Sequence, residues 1–588
     1  MSEDNSPYLR CYGDNLATTP NLDKLAQSGF LYTHAYANAP VCAPTRNTII
    51  TGVYANSNGH QHMRSKYNMS EKIDFFPNFL RQAGYYCTNN RKEDYNINPD
   101  QTKDIWDESS AKAHYKNRDE SQPFFSVFNI GVSHESSIHK TIAKDELRHR
   151  PEDMILPPYH PDTPEIRHDW AQFYDKIEDM DSQVGDLIEE LKRSGEYENT
   201  IIFYYSDHGG ILARSKRYLY DTGTRIPMLV HIPEKYRHLY PSSRAGDKVN
   251  RLVSIVDLAP TVLSLCKIPI PTFMQGNAFL GEERTPDPTY AYMFRDRMDE
   301  RYDMSRSVRD KKFRYIRNYM PYRVYGQHLN YLWNAPSTLS WERAYKNGKC
   351  NEIQSAFWRE KPVEELYDTE NDPWEVKNLA LDSSYLPVLE RLRKANRDWM
   401  SEIKDMGFIP EEEYVAIQKQ SPLYDTFRMD YNGVRIDSLI SVADFVLGST
   451  KDDIQELTSL IHSENNPIRY WAATGFLQLG NDASEAFYEL ERAGNDSSKS
   501  VSLVIAETLY RMGEPEKGRK LLLDALKSDQ TFARVRALNI IDCVDENNLE
   551  VQKETCKIYN NGKDNPRAFD VRACTYLLEK WASDSAPD

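Results

Sequence analysis

The chain has 588 residues, which at roughly 100–200 residues per domain predicts three or four structural units. Its 40% apolar content, which includes 12% aromatic residues, excludes a disordered protein because large cores can be built. The formal charge of −16 excludes general binding of nucleic acid, which requires a basic surface to replace counterions.

Residues 1–270 alternate β-rich runs with amphipathic segments, an order typical of an α/β protein with parallel strands. Buried strands are predicted at 124–130 and 200–205, and each is followed by polar residues, at 133–135 and 206–209. Because ligands of open α/β sheets bind at the carboxyl ends of strands, both polar clusters are candidate site segments. Apolar residues at helical spacing from 163 to 193 predict one long helix, with Thr163 and Pro164 at its start.

The composition changes twice along the chain, which indicates three units. They are an α/β domain at 1–300, a smaller α+β subdomain at 301–425 and an all-helical unit at 435–588. In the subdomain, the sequence KFRYIR at 312–317 predicts an edge or surface strand, because charged residues alternate with aromatic and aliphatic ones.

The helical unit contains a recurring phrase. Alanines recur in similar helical contexts at spacings of 33, 31 and 36 residues, at Ala473, Ala506, Ala537 and Ala573. A period of this length is typical of stacked helix pairs, and the pattern resembles HEAT-type repeats. An irregular helical bundle is the alternative interpretation.

The segment 40–52, PVCAPTRNTIITG, places a cysteine directly before a helical run. We expect Cys42 at the N-terminus of that helix, with Pro44 in its first turn. Free N–H groups and the helix dipole favour an anion there, and Arg46, one turn later, can reach the same point. A buried cysteine before an ordinary helix is the alternative.

This segment resembles the signature of type I, formylglycine-dependent sulfatases of the alkaline-phosphatase superfamily, Cys-x-Pro-Ser/Thr-Arg followed by Thr-Gly. The resemblance covers about residues 3–405, at segments 19–26, 204–209, 216–227, 257–261 and 365–368. Segments 3–7, 92–96 and 295–300 are most similar to the N-sulfoglucosamine sulfohydrolase, or heparan N-sulfatase, branch. It implies a mixed sheet flanked by helices, followed by a smaller α+β subdomain, with a HEAT-like helical domain appended.

In that family the signature cysteine is oxidised to formylglycine, the catalytic aldehyde. The resemblance therefore implies that Cys42 is modified, and that a formylglycine-generating or equivalent maturation enzyme is a partner. It also implies one divalent cation, usually calcium, whose ligands would be Glu3, Asp4, Cys42, Asp207 and His208. Three carboxylates suit a hard cation, whereas the imidazole keeps magnesium or another metal open. A solvated acidic terminus and a plain strand-end turn are the alternatives.

The resemblance assigns further roles to Arg46, Lys92, Lys216 and His134. The three cations would surround the sulfate oxygens, because fixed positive charge stabilises the negative charge that spreads over them during transfer. His134 would protonate the leaving oxygen or nitrogen, which suits a side chain that titrates near neutral pH. A structural or solvated side chain is the alternative for each of them.

One departure from the family is the phrase KED at 92–94, where many members have Lys-x-His and use the histidine on the sulfated intermediate. Asp94 or another residue would then take that role. The possible substrate contacts are His60, His62, Arg64 and Asp94. The three arginines between 295 and 301 form either a basic rim or a solvated run of charges.

A second departure is the N-terminus, where only Met1 and Ser2 precede Glu3 and no signal-peptide core is present. In the family an apolar strand precedes the acidic pair, so we expect the natural gene to encode such a strand and a signal peptide upstream. The resemblance implies a periplasmic, secreted or lysosome-like location. No run approaches the ~18 apolar residues of a membrane helix, so no membrane partner is expected.

These observations favour an enzyme that removes sulfate from a sulfated sugar or oligosaccharide, with the N-sulfate of glucosamine as the nearest resemblance. The alternatives are an O-sulfatase acting on another polysaccharide, such as an algal glycan, and a phosphonate or phosphate monoesterase of the same superfamily. A binding scaffold would follow if Cys42 is never oxidised.

Overall fold

The computed structural model describes residues 1–428 and 435–584. Its strands in chain order are β1 (Phe30–Tyr36), β2 (Tyr86–Asn90), β3 (Glu108–Ser109), β4 (Phe124–Phe128), β5 (Ile202–Tyr205), β6 (Arg225–Ile226), β7 (Met228–His231), β8 (Lys248–Ser254), β9 (Ala291–Arg295), β10 (Ser305–Arg309), β11 (Phe313–Asn318) and β12 (Glu364–Asp368). The α-helices before residue 429 are α1 (Pro20–Ser28), α2 (Cys42–Thr51), α3 (Ala55–Asn58), α4 (Phe76–Gln82), α5 (Pro164–Arg193), α6 (Asp221–Thr224), α7 (Leu258–Leu265), α8 (Pro336–Lys346), α9 (Glu352–Ser355), α10 (Leu386–Ile403), α11 (Glu411–Gln418) and α12 (Leu423–Arg428). Those after residue 434 are α13 (Ile436–Gly448), α14 (Ile454–Ile461), α15 (Asn466–Leu479), α16 (Phe487–Ala493), α17 (Lys499–Arg511), α18 (Pro515–Leu526), α19 (Thr531–Cys543), α20 (Leu549–Gly562) and α21 (Phe569–Asp584).

The α/β half is built on two sheets. One has the order β3-β2-β4 with parallel pairs, and the other has the order β5-β7-β1-β6 with β8 also paired to β1. The β1–β8 pair is parallel, whereas β1 runs antiparallel to β6 and β7. The sheet is therefore mixed, as the family resemblance implies, and the parallel sheet predicted from the alternation of elements is only partly present.

Residues 2 and 3 connect the two sheets. Ser2 forms parallel bridges to Ile130, which follows β4, and to Ser206, which follows β5. Its backbone N–H donates to Tyr205 O at 2.9 Å, and the N–H of Glu3 donates to Ile130 O at 3.0 Å. The acidic pair at 3–4 thus lies at the carboxyl ends of both strands, beside the two predicted polar clusters.

The long helix predicted at 163–193 is α5. Thr163 caps it by accepting a hydrogen bond from the backbone N–H of Ile166 at 3.3 Å, and Pro164 occupies the first turn. Trp170, Phe173, Ile177, Met180, Val184 and Leu191 form its buried stripe. That stripe covers one side of the α/β core and fixes β5, and hence the segment that follows β5.

The smaller sheet has the order β12-β11-β10-β9 with every pair antiparallel. The prediction of an edge or surface strand at 312–317 is wrong, because β11 lies between β10 and β12. Arg314, which suggested solvent exposure, is fully buried and pairs with Asp221 at 2.5 Å and Glu375 at 2.7 Å. Carboxylates from distant segments satisfy a charge that the local pattern assigned to water.

The residues after 434 form an all-helical region. The alternate helices α13, α15, α17, α19 and α21 pack each against the next, and α18 and α20 pack behind them. The four recurring alanines lie on α15, α17, α19 and α21, and each is buried. Since a small residue lets helices approach closely, the sequence period reflects successive helices of one layer. Among the described residues, no helix has the length and apolar character needed to cross a bilayer.

The helical region is joined to the rest of the protein by buried polar contacts. Arg536 pairs with Glu412, and Asn539 donates to Glu300 O at 2.8 Å. The indole N–H of Trp471 donates to Phe408 O at 2.9 Å. Because charged and polar groups are rarely buried without partners, these contacts fix how the helices lie against the α/β half.

Candidate active site

Cys42 lies where the sequence predicted it, at the first residue of α2. The residue is 1% exposed, and Pro44 and Arg46 follow it in the first turns. Arg46 is 2% exposed and points to the same side as the cysteine, toward the residues after β5. A spacing of four residues is about one helical turn, so the motif itself sets this juxtaposition.

Two carboxylates and an imidazole surround the cysteine. The Sγ atom of Cys42 lies 3.2 Å from His208 Nε2 and 3.6 Å from Asp4 Oδ1, and His208 Nε2 lies 2.9 Å from Asp4 Oδ1. With Asp207, the candidate ligand atoms of this cluster all lie within 4.8 Å of one another. The side chains of Asp4, Cys42, Asp207 and His208 are all buried, so three distant segments of the chain meet in a pocket with little access to water.

Glu3 lies beside this cluster. Its Oε2 accepts from the ammonium of Lys92 at 2.6 Å, and its Oε1 lies 3.8 Å from Arg46 Nη2. Glu3, Asp4, Cys42 and His134 also offer ligand atoms within 4.8 Å of one another. Glu3 is therefore next to the cluster formed by the other four predicted cation ligands, and its carboxylate is paired with Lys92.

The residues present fit a divalent cation. Two buried carboxylates and an imidazole nitrogen converge, and oxygen donors are what calcium and magnesium prefer. The imidazole is a donor that extends the fit to transition metals. Asp4 and Asp207 raise the pKa of His208 to about 10 against the effect of burial, so the imidazole carries a proton between the two carboxylates. A cation could take the place of that proton.

The cluster keeps its carboxylates ionised. Burial would raise the pKa of Asp4, but the charges of Lys216 and His208 hold it well below its ordinary value. The pKa of Asp207 is likewise lowered against burial, by His208 and Arg46. Burial would also raise the pKa of the Cys42 thiol, and Lys216 and Lys92 instead lower it to about 6. The site is therefore highly charged inside and balanced by cations.

Arg46 is held in a fixed orientation. Its Nε donates to Asp207 Oδ2 at 3.1 Å, and its Nη1 donates to Asn129 Oδ1 at 2.8 Å and to Lys92 O at 3.3 Å. Its Nη2 is buried without a hydrogen-bond partner among the residues that the structure describes. Since buried donors are nearly always paired, this N–H group indicates a place for an external acceptor such as an oxyanion.

Lys216 is the second buried cation of the site. Its ammonium donates to Asp4 Oδ2 at 2.5 Å and lies 3.4 Å from Glu135 Oε2. Glu135 and Arg217 received no role from the sequence, yet Arg217 holds Glu135 through two bonds at 2.8 and 3.0 Å. The sequence signal for them was their position in the candidate segment 133–135 and in the family segment 216–227. They position Asp4, because the backbone N–H of Glu135 donates to Asp4 Oδ2 at 2.8 Å.

His134 faces the cluster from its edge. Its side chain is 20% exposed, and its Nε2 lies 4.0 Å from Asp4 Oδ2. The backbone N–H of Ser136 points to His134 Nδ1 at 3.2 Å. Because that contact makes Nδ1 the acceptor, a neutral His134 carries its proton on Nε2, the nitrogen that faces the site.

The possible substrate contacts separate into two pairs. Arg64 and Asp94 line the cavity above Cys42 and bind each other at 3.1 and 3.3 Å. That ion pair lowers the pKa of Asp94 against the effect of burial. His60 and His62 lie in the packed interior, where burial lowers the pKa of each to about 4. Neither histidine is part of the described cavity wall, so only Arg64 and Asp94 remain candidates.

The arginines at 295–301 form neither a rim nor a solvated run. Each is buried and paired, Arg295 with Asp303 at 2.9 Å, Arg297 with Glu411 at 2.6 Å and Arg301 with Asp542 at 2.9 Å. The sequence could not show this for Arg297 and Arg301, because their partners, Glu411 and Asp542, lie more than 100 residues further along the chain. Arg297 and Arg301 contact the helical region and hold it against the α/β half.

The site opens into a cavity of about 750 Å³, with Cys42, His134 and Lys216 at its base. This volume lies within the roughly 300–1,000 Å³ typical of sites for small ligands. Cys42, a buried nucleophile candidate in the wall of this cavity, contacts the cation-binding cluster and lies one helical turn from an arginine donor that has no hydrogen-bond partner among the described residues. This arrangement suits transfer of an anionic group.

The chain belongs to the sulfatase family of sulfuric ester hydrolases. Residues 1–268 match the family model "Sulfatase", and residues 212–356 match "N-sulphoglucosamine sulphohydrolase, C-terminal". An ulvan-active sulfatase of Formosa agariphila is 37% identical over 462 residues, which cover 71% of this chain and 76% of that protein. Human N-sulphoglucosamine sulphohydrolase is 25% identical over 479 residues, which cover 72% and 93%. The resemblance drawn from the motifs is confirmed.

The fold is also shared with solved structures. The phosphonate monoester hydrolase of Agrobacterium radiobacter aligns with a TM-score of 0.52 and 15% identity, over 70% of this chain and 97% of that one. At this identity the likeness concerns the fold alone. Neither family model extends past residue 356, so both end before the helical region at 436–584.

Proposed function

We propose that this protein hydrolyses a sulfate ester or sulfamate on a carbohydrate, with Cys42 as the precursor of the nucleophile. The observation that carries the proposal is the convergence of Cys42 with a buried carboxylate cluster and the unpaired Nη2 of Arg46. The names of its relatives support a glycan substrate. The N-sulfate of glucosamine and an O-sulfate of an algal polysaccharide are the two substrates that these relatives suggest.

Two groups would complete the site. A divalent cation, calcium or else magnesium, would be held by Asp4, Asp207 and His208 with Glu3 adjacent, and it would supply positive charge that acidifies a hydroxyl and neutralises a bound anion. Formylglycine made from Cys42 by a maturation enzyme would supply the nucleophilic hydroxyl of its hydrate. The carboxylates that receive the cation are already ionised, as the lowered pKa values of Asp4 and Asp207 require.

The residues of the chain have distinct tasks in this proposal. Arg46, oriented by Asp207 and Asn129, directs its free N–H at the sulfate, and Lys92 and Lys216 add fixed charge around the same oxygens. Such preorganised donors are most effective in a site that excludes water. His134, with its proton on the nitrogen that faces the site, donates it to the leaving oxygen or nitrogen.

The remaining expectations belong to the same proposal. The enzyme acts in a periplasmic, secreted or lysosome-like compartment, where sulfated polysaccharides are degraded. Its three units lie at 1–300, 301–425 and 435–588, and the stacked helices of the third are HEAT-like. The packing of alternate helices from α13 to α21 supports that description.

The proposal is tested by assaying sulfate release from a panel of substrates. The panel contains N-sulfated glucosamine, O-sulfated ulvan oligosaccharides and, as the competing chemistry, a phosphate and a phosphonate monoester. We expect release of inorganic sulfate from at least one sulfated sugar. The sugar with the higher kcat/KM decides between an N-sulfatase and an O-sulfatase. Faster turnover of the phosphonate or phosphate ester than of every sulfate would contradict the proposal and favour the monoesterase alternative.

Replacement of Asp207 by asparagine is expected to remove the response of thermal stability to a divalent cation. Asparagine keeps the shape but loses the charge that a hard cation requires. The wild-type melting temperature should rise when calcium or magnesium replaces EDTA, because a ligand at about 100 times its Kd stabilises by about 2.7 kcal/mol. The rise should nearly vanish in the variant.

Asp296 supplies the matched control for this measurement. It is equally buried, but burial raises its pKa to about 7 and it contacts Arg306 outside the cluster. Asp296→Asn should therefore keep the full metal response. An equal rise in melting temperature for the Asp207 and Asp296 variants would place the cation elsewhere. No rise in the wild type would contradict a cation site in this protein.

A further inference from the structure

The helical region forms one wall of the active-site cavity. Seven residues of the start of α19, of the segment between α20 and α21 and of the start of α21 line it, namely Thr531, Phe532, Asn565, Arg567, Ala568, Phe569 and Arg572. Cys42, His134 and Lys216 line the same cavity from the α/β half. A ligand that fills this cavity therefore contacts both the sulfatase site and a region outside the matched family models.

This wall is held rigidly against the site. The guanidinium of Arg297 lies between the rings of Phe532 and Phe569, at 4.7 and 4.6 Å from their centres, and Glu411 binds it from behind at 2.6 Å. Arg572 donates to Asp299 at 3.2 Å. These contacts are largely buried, so the wall is positioned before any ligand arrives.

The same Asp299 links the wall to the catalytic residues. Its second oxygen accepts from Arg217, which in turn holds Glu135 beside Lys216. One chain of ion pairs thus runs from α21 to the base of the cavity. The start of α21, directly after the segment that carries Arg567, is therefore held at the cavity by packed ion pairs.

The cavity is positively charged within an acidic protein. Six cationic and three carboxylate side chains line it, although the whole chain carries a formal charge of −16. Arg64, Arg217, Arg572 and Lys216 already have carboxylate partners. Arg567 and Lys66 are exposed in the cavity wall and have no ion-pair partner within residues 1–428 and 435–584. Positive charge thus remains available after the internal pairs are formed.

We infer that the helical region supplies a substrate subsite, in which Arg567 and Lys66 bind a second anionic group of the saccharide that loses its sulfate. That group is a carboxylate or another sulfate, since both are oxyanions that a guanidinium recognises. Phe532 and Phe569 add apolar surface to the same wall, suited to the hydrophobic face of a sugar ring. The inference rests on the proposed function and extends it to acidic oligosaccharides as the substrate class.

Replacing Arg567 by alanine tests the subsite. The probes are ulvan and heparin oligosaccharides, each native and carboxyl-reduced, together with an aryl sulfate that has no second anionic group. We expect kcat/KM for the native oligosaccharide to fall at least about tenfold, mainly through KM, and to fall far less for the aryl sulfate. Lys66→Ala should act in the same direction.

Arg492 provides the matched control, because it is an arginine of the helical region that is 70% exposed and lies outside the cavity wall. Arg492→Ala should turn over every probe as the wild type does. If Arg567→Ala lowers kcat/KM for the native oligosaccharide but not for its carboxyl-reduced form, the second anionic group is a carboxylate. If the variant lowers kcat/KM for both forms, that group is a second sulfate. Equal losses on oligosaccharide and aryl sulfate, or no loss on either, would overturn the inference.

A binding measurement separates failure of this inference from failure of the proposed function. In a Cys42→Ala background, which prevents formylglycine formation, calorimetry reports the Kd of the same oligosaccharides without turnover. Arg567→Ala should raise that Kd about tenfold even if the wild type hydrolyses none of the probes. If the probes neither bind nor react, both the subsite and the proposed function are wrong, whereas turnover that is unaffected by Arg567 removes only the subsite.

Discussion

Replacing Cys42 by alanine is expected to reduce sulfate release by about 10⁴-fold or more, because the variant cannot form the nucleophile. The rest of the site should persist, since Cys42 contributes only its small side chain to the contacts among Asp4, His208 and the start of α2. Turnover is measured with the best substrate of the panel. Intact folding is checked by an unchanged melting profile.

Cys87 supplies the control for this experiment. It is a second buried cysteine, on β2 and outside the active-site cavity, and Cys87→Ala should keep turnover. Mass spectrometry of the Cys42 peptide from active enzyme should show the lower mass of the aldehyde. An unmodified Cys42 thiol in active enzyme, or full turnover by Cys42→Ala, would contradict the mechanism. An unmodified thiol in inactive protein from the native host would instead favour a binding scaffold.

Replacing Arg46 by lysine is expected to lower kcat by about 10²- to 10³-fold, although the charge is kept. Lysine offers a single point of donation, whereas Arg46 binds Asp207 and Asn129 with two nitrogens and leaves a third free for the sulfate. The loss should appear in kcat rather than KM if this N–H binds the oxyanion more tightly in the transition state. Steady-state kinetics with an aryl sulfate measure both.

A buried arginine outside the site shows whether the effect is specific. Arg251 is 2% exposed and donates to Thr285 O and to Asp287, away from the cavity. Arg251→Lys should lower stability and leave kcat close to that of the wild type. A loss in kcat for Arg46→Lys no larger than for Arg251→Lys would remove Arg46 from the oxyanion site.

Local elements of this protein could be predicted from the sequence because local rules govern them. The spacing of Cys42, Pro44 and Arg46 sets a helix start with an arginine one turn on, and α2 has that form. The apolar spacing before Arg193 predicts α5, and the buried strand before 206 predicts β5. In each case the decisive contacts lie within a few residues of one another.

Burial of charge was the property that the sequence could not reveal. Arg314 was read as part of a surface strand and Arg297 as part of a rim or a solvated run, yet both are buried because carboxylates from Asp221, Glu375 and Glu411 meet them. His60 was read as a possible sugar contact and is enclosed by the segments around it. A charged side chain is indistinguishable from a solvated one until its partner is located.

The sequence by itself determined the family and the local elements: a cysteine at a helix start, acidic and basic residues of the sulfatase type and an all-helical region after residue 434. Tertiary structure alone decided which residues share a cavity. It places residues 3–4 at the ends of two strands, Asp207 against Arg46, and Arg567 of the helical region in the wall of the cavity that Cys42 also lines. The physical reason is range, since periodicity dictates local conformation, whereas packing and ion pairing between distant segments dictate which of them meet.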